Sequence, residues 1–454
     1  MIDLACLKTQ PPFSGGTVMV YGTGASGLAA VRAFAAAGFD VYAGDDNPLC
    51  ENAVKEAGGT WVAEPLAFDF AKTGAVILAP GIPLHFPAPH PICDKARTAG
   101  IPLISDIEVF GLAQKDRNRI IGITGTNGKS TTTALAAHVL NALGQKAVAG
   151  GNIGDCALAL PQFHDRAGIY VLEISSFQID LCPSFRPDIA VLLNITPDHL
   201  DRHGGMDGYV AAKARLLDGA GDTIITSEDA HCRDIAAAHG TEPVLGCPVN
   251  LDNLPHLAGA HNAQNIRAVY EICRRILPNI DDAAFRRALE SFSGLPHRQE
   301  IAGRQYHIVF INDSKATNPD ATAPALDTYR NIYWIAGGLA KDIDEFDALL
   351  DNHSAFITEA FLIGDCAEFL AIKLKKRDIP HRICHRLGNA VHAAFSSACQ
   401  SPEDEAHILL SPACASFDQF KNFEARGNIF KELVEEIICT QNNGKAEEQS
   451  SGRH

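Results

Sequence analysis

The chain has 454 residues, of which 46% are hydrophobic and 20% are charged, and its formal net charge is −16. This composition is typical of a folded protein of about two to four domains and excludes a disordered chain. The excess of negative charge argues against nucleic acid or an anionic membrane surface as a partner.

Cysteine usage and the N-terminus both indicate the cytosol. The 13 cysteines include no Cys-x-x-Cys pair and no spacing typical of a zinc site, which predicts free thiols in a reducing compartment. The N-terminus lacks the basic and apolar segments of a signal peptide, and no apolar run reaches the roughly 18 residues of a membrane span. We therefore expect a cytoplasmic protein that does not contact membranes.

Short β-branched runs alternate with Ala-rich helical stretches along the chain, which predicts an α/β fold with largely parallel sheets. Composition and turn signals divide the chain into three blocks. We expect domains at 1–115, 116–297 and 298–439. The last stretch, 440–454, is polar and rich in Gly, Ser and Glu, and we expect it to be a disordered tail.

The first block opens with a predicted strand at 17–21 and a glycine-rich turn, Gly22-Thr23-Gly24-Ala25-Ser26-Gly27. With an acidic residue near position 45, this pattern fits the dinucleotide fingerprint. It is open to three interpretations: an NAD(P) cofactor, a nucleoside diphosphate such as UDP, or a structural turn. A separate phosphate loop further along the chain favours the nucleoside diphosphate.

That phosphate loop is Gly125-Thr126-Asn127-Gly128-Lys129-Ser130-Thr131, between an apolar run at 120–123 and a predicted helix at 132–143. Backbone N–H groups and the helix dipole face a phosphate in such a loop, Lys129 adds a charge, and a hydroxyl reaches Mg²⁺. Five residues separate Gly122 from Gly128, where the usual P-loop has about four. The pattern predicts a nucleoside-triphosphate loop of an unusual subtype; the alternative is a structural glycine turn.

Two polar residues follow buried strands of the second block. Glu173 ends a strand at 169–174, where a carboxylate suits a hard cation, although a structural role is the alternative. His199 lies in a polar cluster after a strand at 189–195, where it suits substrate or metal contact. Lys213 lies in a predicted helix, and its pattern predicts an ordinary surface lysine.

The third block repeats this placement of polar residues at strand ends. Asp313-Ser314-Lys315-Ala316-Thr317-Asn318 follows a strand at 307–311, and the segment from Ser411 to Asp418 follows a strand at 408–410. Their shared position predicts one pocket wall. Cys414 has no histidine close in sequence to activate it, so a cysteine nucleophile is the weaker interpretation. A helix is predicted from about residue 418 to 438.

The motifs and their order along the chain resemble those of the Mur ligases of peptidoglycan synthesis. The resemblance covers about residues 15–438. The phosphate loop alone would equally fit folylpolyglutamate synthase. The C-terminal motifs Asp313 to Asn318 and Leu410 to Phe423 indicate the member that adds D-glutamate. The other motifs of the resemblance are 150–154, Leu172 to Gln178, Asn194 to Arg202, 261–265 and 294–298.

The resemblance implies a Rossmann-like UDP-binding domain, a central ATPase domain with a mainly parallel sheet, and a C-terminal Rossmann-like domain. It also implies that ATP phosphorylates the carboxylate of UDP-N-acetylmuramoyl-L-alanine and that the amine of D-glutamate attacks the acyl phosphate. These small molecules would be the partners of a monomer. Another amino-acid-adding ligase is the alternative within the superfamily; an NAD(P) oxidoreductase and a non-catalytic nucleotide sensor are alternatives of other classes.

Site residues follow from the resemblance by motif position. The implied catalytic residues are Lys129, His199 and Lys213, and two Mg²⁺ sites would use Ser130, Glu173, His199 and Lys213 as a carbamate. Implied ATP contacts are Gly125, Thr126, Asn127, Gly128, Lys129, Ser130, Thr131, Asn262, Asn265, Arg298 and Asp313. The UDP-substrate would contact Ala25, Ser26, Asp45, Asp46, Gly81 and Asn152, and D-glutamate would contact Lys315, Thr317, Lys341, Ser416 and Phe423.

Two positions depart from the family pattern. Asn47 stands where some members carry Arg beside the uracil, and the loop from Gly337 to Lys341 replaces a loop richer in Gly and Asp.

Overall fold

The computed structural model describes residues 1–114, 117–252, 254–257, 259–340 and 345–451. The chain divides into two compact units. The first unit is Met1–Asp252 with Asn262–Phe292, and the second unit is Asn253–His261 with Ser293–His454. The first unit holds two sheets and the second holds one, so each of the three predicted domains has its own sheet. The exact domain boundaries stay a prediction.

The first sheet is parallel and has the strand order β3-β2-β1-β4-β5. Its central strand is buried because the Val, Met and Tyr side chains of Thr17–Tyr21 pack between helices on both faces. The elements are β1 Thr17–Tyr21, α1 Ala25–Ala36, β2 Asp40–Gly44, α2 Glu51–Glu56, β3 Thr60–Trp61, β4 Val76–Leu78, α3 Pro91–Thr98, β5 Leu103–Ile104 and α4 Asp106–Gln114.

The second sheet is also parallel, with the order β10-β9-β6-β8-β7. Its strands and helices are β6 Arg119–Thr124, α5 Lys129–Ala142, β7 Lys146–Gly151, β8 Gly168–Glu173, α6 Ser176–Asp180, β9 Ile189–Leu192, α7 Leu200–His203, α8 Met206–Ala214, β10 Asp222–Ile225, α9 Ala230–Ala238, α10 Ala260–Ile276 and α11 Asp282–Glu290. Strands β8, β6 and β9 are neighbours, so their carboxyl ends present the phosphate loop, Glu173 and Asn194 at one edge.

The third sheet has six strands in the order β11-β12-β16-β13-β14-β15, and only the β11–β12 pair is antiparallel. Its elements are β11 Glu300–Gln305, β12 Ile308–Asn312, α12 Pro319–Thr328, β13 Ile332–Gly337, α13 Glu345–His353, β14 Ile357–Ile363, α14 Ala367–Lys375, β15 His381–His385, α15 Leu387–Ala398, β16 Ala406–Leu410 and α16 Phe423–Ser451. The predicted α/β class with largely parallel sheets is confirmed.

Helices α5 and α16 differ from the prediction at their ends, and α16 begins at Phe423 where a start at about residue 418 was predicted. Helix α5 begins at Lys129, three residues before the predicted start at Thr132, so the loop lysine belongs to its first turn. Helix α16 continues to Ser451, where a disordered tail was predicted from Thr440. Lys, Ala, Glu and Gln at 445–449 are strong helix formers, and a helix can extend through such a polar stretch from a packed start. In the part of the chain that is described, no helix is long and apolar enough to span a membrane.

Candidate active site

The phosphate loop has a backbone that only glycine accommodates. Gly125 and Gly128 have φ angles of 153° and 86°. A Cβ at Gly128 would lie 2.3 Å from the Asn265 Oδ1 atom, and one at Gly125 would lie 2.9 Å from the Leu193 Cβ atom. The loop therefore packs closely against Leu193, which follows strand β9, and against Asn265 of helix α10, so that a side chain at either glycine would clash.

Residues that follow strand β9 hold the loop in place. The backbone N–H groups of Thr126 and Asn127 donate to the backbone and side-chain oxygens of Asn194, each at 2.9 Å. The Thr126 hydroxyl donates to the Thr196 carbonyl oxygen at 3.1 Å and lies 3.0 Å from the Tyr209 hydroxyl. These bonds fix the start of helix α5, whose N-cap is Gly128.

Two lysines meet at this loop. Lys129 Nζ donates to the carbonyl oxygens of Gly125 and Thr126 at 2.9 and 2.7 Å, and Lys213 Nζ donates to the same Gly125 oxygen at 2.7 Å. Lys213 is 1% exposed, so the surface-lysine interpretation of its pattern is wrong. Helix α8 packs that residue against the loop, a tertiary contact that a local pattern does not reveal.

The pKa of Lys213 lies well below the ordinary lysine value. Burial is the main cause because it disfavours the charged form, and the neighbouring charge of Lys129 acts in the same direction. Asp198 and Glu173 oppose the shift without cancelling it. The Lys213 amine is therefore biased toward its neutral form, in which nitrogen is nucleophilic.

Glu173 ends strand β8 with an incompletely satisfied carboxylate. The residue is 3% exposed, and its Oε1 atom accepts a hydrogen bond from Asn152 Nδ2 at 3.0 Å. Its Oε2 atom is buried with no hydrogen-bond partner among the described residues. Because a buried oxygen without a partner costs about 1–3 kcal/mol, this atom is suited to a cation.

His199 has a strained backbone and an accessible side chain. Its φ angle is 50° and its side chain is 52% exposed, 3.5 Å from the Asp198 carboxylate and 5.0 Å between ring centroids from Phe177. A left-handed conformation in a residue other than glycine costs about 1–3 kcal/mol and occurs often at functional sites. A functional role for this histidine stays a prediction.

A cavity of about 270 Å³ brings several predicted residues together. It is lined by Lys129, His199 and Lys213, and also by Gly81 and Asn152, which were predicted to contact the UDP-substrate. Its other lining residues were given no individual role from the sequence, although four of them lie within motifs of the resemblance: Pro80, Ser175, Ser176, Phe177, Asp198 and Tyr209. Across the described ranges, no three His, Cys, Asp or Glu side chains cluster to hold a metal by themselves.

The predicted uridine residues follow strands β1 and β2. Asp45 accepts hydrogen bonds from the Thr23 hydroxyl and the Asn47 N–H, each at 2.9 Å. Burial raises the pKa of Asp45, but the hydrogen bonds outweigh it and the net shift is downward. Asp46 accepts from the Tyr21 hydroxyl at 2.7 Å.

Ala25 and Ser26 form the first turn of helix α1 beside this carboxylate pair. The Asn47 side chain accepts from the N–H of Leu49 at 3.1 Å, so this departure from the family pattern serves as a local cap.

The predicted ATP residues fall in both units. In the first unit, Asn265 Nδ2 donates to Asn262 Oδ1 at 3.0 Å, and its own Oδ1 accepts from Thr132 at 3.1 Å. In the second unit, Asp313 is buried and accepts from Ser411 Oγ at 2.7 Å. Burial raises the pKa of Asp313 to about 7, although this bond and the charge of Arg298 lower it.

The predicted D-glutamate residues occupy loops of the second unit. Lys315 Nζ lies 5.9 Å from the Phe423 ring centroid. Ser416 is buried and Thr317 is partly exposed, whereas Lys341 lies outside the described residues. No motif pointed to Arg426, a 1% exposed arginine that bonds to Ser314 Oγ at 2.9 Å and to the Cys414 carbonyl at 3.1 Å.

The structure weakens a nucleophilic role for Cys414. Its Sγ atom lies 3.3 Å from that of Cys366, and both residues are buried. The hydrogen bond with Cys366 and burial raise the pKa of the Cys414 thiol, which disfavours the thiolate that a nucleophile needs.

The fold and the loop define the class of protein: an α/β protein with three sheets and a loop of the nucleoside-triphosphate-binding type after strand β6. Residues 123–250 match the family model of the Mur ligase middle domain. Among solved structures, UDP-N-acetylmuramate-alanine ligase MurC from Thermotoga maritima aligns with 92% of this chain and 99% of its own, at a TM-score of 0.59 and 19% identity. That structural likeness shows the fold alone.

Curated relatives extend over nearly the whole chain. The UDP-N-acetylmuramoylalanine–D-glutamate ligase of Mesorhizobium japonicum is 41% identical over 465 residues, covering 94% of this chain and 97% of that protein. The ligase of the same name from Paramagnetospirillum magneticum is 42% identical over 453 residues, with the same coverage. The chain belongs to the UDP-N-acetylmuramoylalanine–D-glutamate ligase family of Mur ligases. This confirms the resemblance found in its motifs and leaves nothing to favour the oxidoreductase interpretation of the first glycine turn.

Proposed function

We propose that the protein is an ATP-dependent ligase that joins D-glutamate to UDP-N-acetylmuramoyl-L-alanine in the synthesis of peptidoglycan precursors. Relatives of that name match almost end to end. The observation that carries the proposal is the convergence of Lys129 and Lys213 on the Gly125 carbonyl, in a cavity that Gly81 and Asn152 also line. Lys129 places a cationic group in that cavity, where a phosphate and a carboxylate would approach each other.

The chemistry explains the need for a cation here. A carboxylate is a poor acyl donor, so one of its oxygens attacks the γ-phosphorus of ATP, the bond to the β-phosphate oxygen breaks, and ADP leaves. The D-glutamate nitrogen then attacks the carbonyl carbon and loses a proton, and phosphate leaves with the former carboxylate oxygen. Because two anions meet in the first step, neutralising charge lowers its barrier. We assign that role to Lys129.

We assign the ATP phosphates to the loop from Gly125 to Thr131. Its glycine-only backbone and position at the start of helix α5 support this assignment. Asn262 and Asn265 lie beside the loop in the first unit and support it further. The ATP roles of Arg298 and Asp313 and the D-glutamate roles of the second-unit residues stay predictions.

Mg²⁺ fits the donors present. Glu173 offers a buried oxygen that has no hydrogen-bond partner in the described part of the chain, and His199 and Ser130 offer a nitrogen and a hydroxyl. When bound, Mg²⁺ supplies positive charge against the phosphate oxygens. We propose that these residues hold the metal, with Lys213 as a further ligand.

The depressed pKa of Lys213 supports its proposed carbamate. CO₂ adds only to a neutral amine, and burial beside Lys129 favours that form of Lys213. The addition forms an N–C bond, releases a proton, and converts a cation into an anionic oxygen donor. Among the described residues, no three His, Cys, Asp or Glu side chains form a metal-binding cluster. The carbamate oxygen would supply an additional metal ligand. We further propose that the protein acts as a cytoplasmic monomer on small-molecule substrates.

The direct test is phosphate release from ATP. We expect release only when UDP-N-acetylmuramoyl-L-alanine and D-glutamate are both present with Mg²⁺, and the product should contain both. Release with L-glutamate or meso-diaminopimelate in place of D-glutamate would contradict the proposed specificity. Hydride transfer to or from a nicotinamide cofactor would contradict the ligase assignment altogether.

A further inference from the structure

Three side chains connect the candidate active-site cavity with a second cavity in the first unit. Ser176 lines the first cavity, and its Oγ atom lies 2.9 Å from His203 Nε2. His203 Nδ1 lies 3.4 Å from Asp180 Oδ2, and both residues line a separate cavity of about 300 Å³. Ser176 and Asp180 are one turn apart at the two ends of helix α6, so His203 bridges them from the end of helix α7.

The His203 ring is buried between the rings of Phe177 and Tyr209. Its side chain is 3% exposed, and its ring is stacked on Phe177 with a centroid distance of 5.4 Å and an interplanar angle of 8°. Burial lowers the pKa of His203 to about 4, and the charges of Arg202 and Arg215 act in the same direction. The charged or titratable groups around the ring are Asp180, His199, Arg202, Tyr209, Lys213 and Arg215. The imidazole is therefore neutral at pH 7.

The neutral ring has one preferred tautomer in this setting. Nδ1 faces the Asp180 carboxylate, and a lone pair in that position would be repelled, so Nδ1 carries the hydrogen. Nε2 must then accept the hydrogen of the Ser176 hydroxyl. With its hydrogen turned toward His203, Ser176 Oγ offers lone pairs to the cavity, so the group that it recognises must be a hydrogen-bond donor.

We propose that Ser176, oriented by His203 and Asp180, accepts a hydrogen bond from the L-alanyl amide N–H of the acceptor substrate. This inference rests on the proposed function. The amide nitrogen is two covalent bonds from the reacting carboxyl carbon. A carboxylate held beside Lys129 and His199 therefore brings that N–H into the cavity that Ser176 lines.

His203 and Asp180 act as positioning residues in this arrangement. A proton relay from the substrate through Ser176 would need His203 as a base. Its pKa of about 4 makes the imidazole a weak base at neutral pH, which disfavours such a relay. The role of His203 is therefore to orient the Ser176 hydroxyl. The bond would align the reacting carboxylate with the phosphate donor.

The test compares the natural acceptor with UDP-N-acetylmuramoyl-L-lactate, in which an ester oxygen replaces the amide N–H. We expect wild-type kcat/KM to favour the amide by about tenfold or more, since one hydrogen bond contributes roughly that factor. In Ser176→Ala the preference should fall to near one. His203→Phe keeps an aromatic ring against Phe177 but removes both nitrogens, and should lose the preference too, whereas His203→Gln should restore part of it.

His239→Gln is the matched control, because His239 also faces a carboxylate, Asp218 at 3.2 Å, outside both cavities. It should keep the wild-type preference for the amide. A preference that is absent in the wild type, or unchanged in Ser176→Ala and His203→Phe, would overturn the inference while the ligase assignment stands. No D-glutamate-dependent turnover of the amide substrate by the wild type would instead overturn the proposed function.

Discussion

Lys129 and Lys213 donate to the same carbonyl oxygen, but the proposed function gives them opposite charges. Lys129 acts as a cation beside a phosphate, whereas Lys213 is converted into an anionic ligand. The environment of Lys213 explains the difference. Lys213 is 1% exposed and its pKa lies well below the ordinary lysine value, and the charge of Lys129 is one cause of that shift.

This difference predicts opposite responses to chemical rescue. We expect Lys213→Ala to reduce kcat by about 100-fold or more, because a metal ligand is lost. Short carboxylic acids such as acetate should restore part of the activity by supplying the missing oxygen donor. Activity is measured as D-glutamate-dependent phosphate release. Lys129→Ala is the matched control and should stay inactive with the same acids. Equal rescue of both variants, or of neither, would contradict the carbamate assignment.

The buried His203 predicts an acid-side loss of stability. Its folded pKa is about 4 and its ordinary value is about 6.5, so between these pH values the unfolded chain binds more protons. The stability therefore falls as pH falls through this window. Between pH 7 and pH 5 the contribution is about 2 kcal/mol.

Thermal midpoints of the wild type and His203→Phe at pH 7 and pH 5 measure this contribution. The wild type should lose more than the variant over that interval, while His239→Gln should behave like the wild type. Other histidines with a lowered pKa, such as the half-buried His261 at about 4, are present in all three proteins and cancel in the comparison. Equal losses in the wild type and His203→Phe would contradict the neutral buried imidazole.

At the scale of elements, two glycines at helix ends can be compared: Gly128 in the phosphate loop and Gly144 after helix α5. Gly128→Ala combines a φ of 86° with a Cβ placed 2.3 Å from Asn265 Oδ1, so the loop must shift. A displacement of about 1 Å at such a site costs on the order of 100-fold in rate. We expect that loss in kcat/KM for ATP, with retention of the fold.

Gly144 provides the matched control for that substitution. Its φ is 82°, yet a Cβ there would meet nothing within 4 Å. Gly144→Ala should therefore cost about 1–2 kcal/mol of stability from backbone strain alone and leave kcat/KM for ATP unchanged. Equal catalytic losses in the two variants would show that strain, and not the contact with Asn265, limits the loop.

Local patterns predicted the elements with strong signals and missed those that depend on neighbours. Apolar runs predicted the ends of β1 and β6 to within one residue. Strands buried in a parallel sheet are near-continuous runs of apolar, often β-branched residues, which gives a strong signal. Strand β11 was missed because its Gly and charged residues carry no strand pattern and it pairs only at a sheet edge. Motif order placed the site at strand ends, but the burial of Lys213 and the bridge through His203 depend on packing between elements.

At the scale of the whole molecule, the chain repeats one arrangement in three sheets, with polar residues following the carboxyl ends of parallel strands. The glycine turn after β1, the phosphate loop after β6 and the loops after β12 and β16 all occupy this position. Under the proposed function, this one position would present a nucleotide substrate, a triphosphate and an amino acid, each at a different sheet.

The central claim is that ATP activates the carboxylate of the acceptor as an acyl phosphate. The measurement that tests it most directly uses UDP-N-acetylmuramoyl-L-alanine with ¹⁸O in the terminal carboxylate, together with ATP, Mg²⁺ and D-glutamate. Mass spectrometry of the released phosphate should find one ¹⁸O atom for each amide bond formed, because the carboxylate oxygen leaves with phosphorus. Phosphate that carries no ¹⁸O while the amide accumulates would contradict the account.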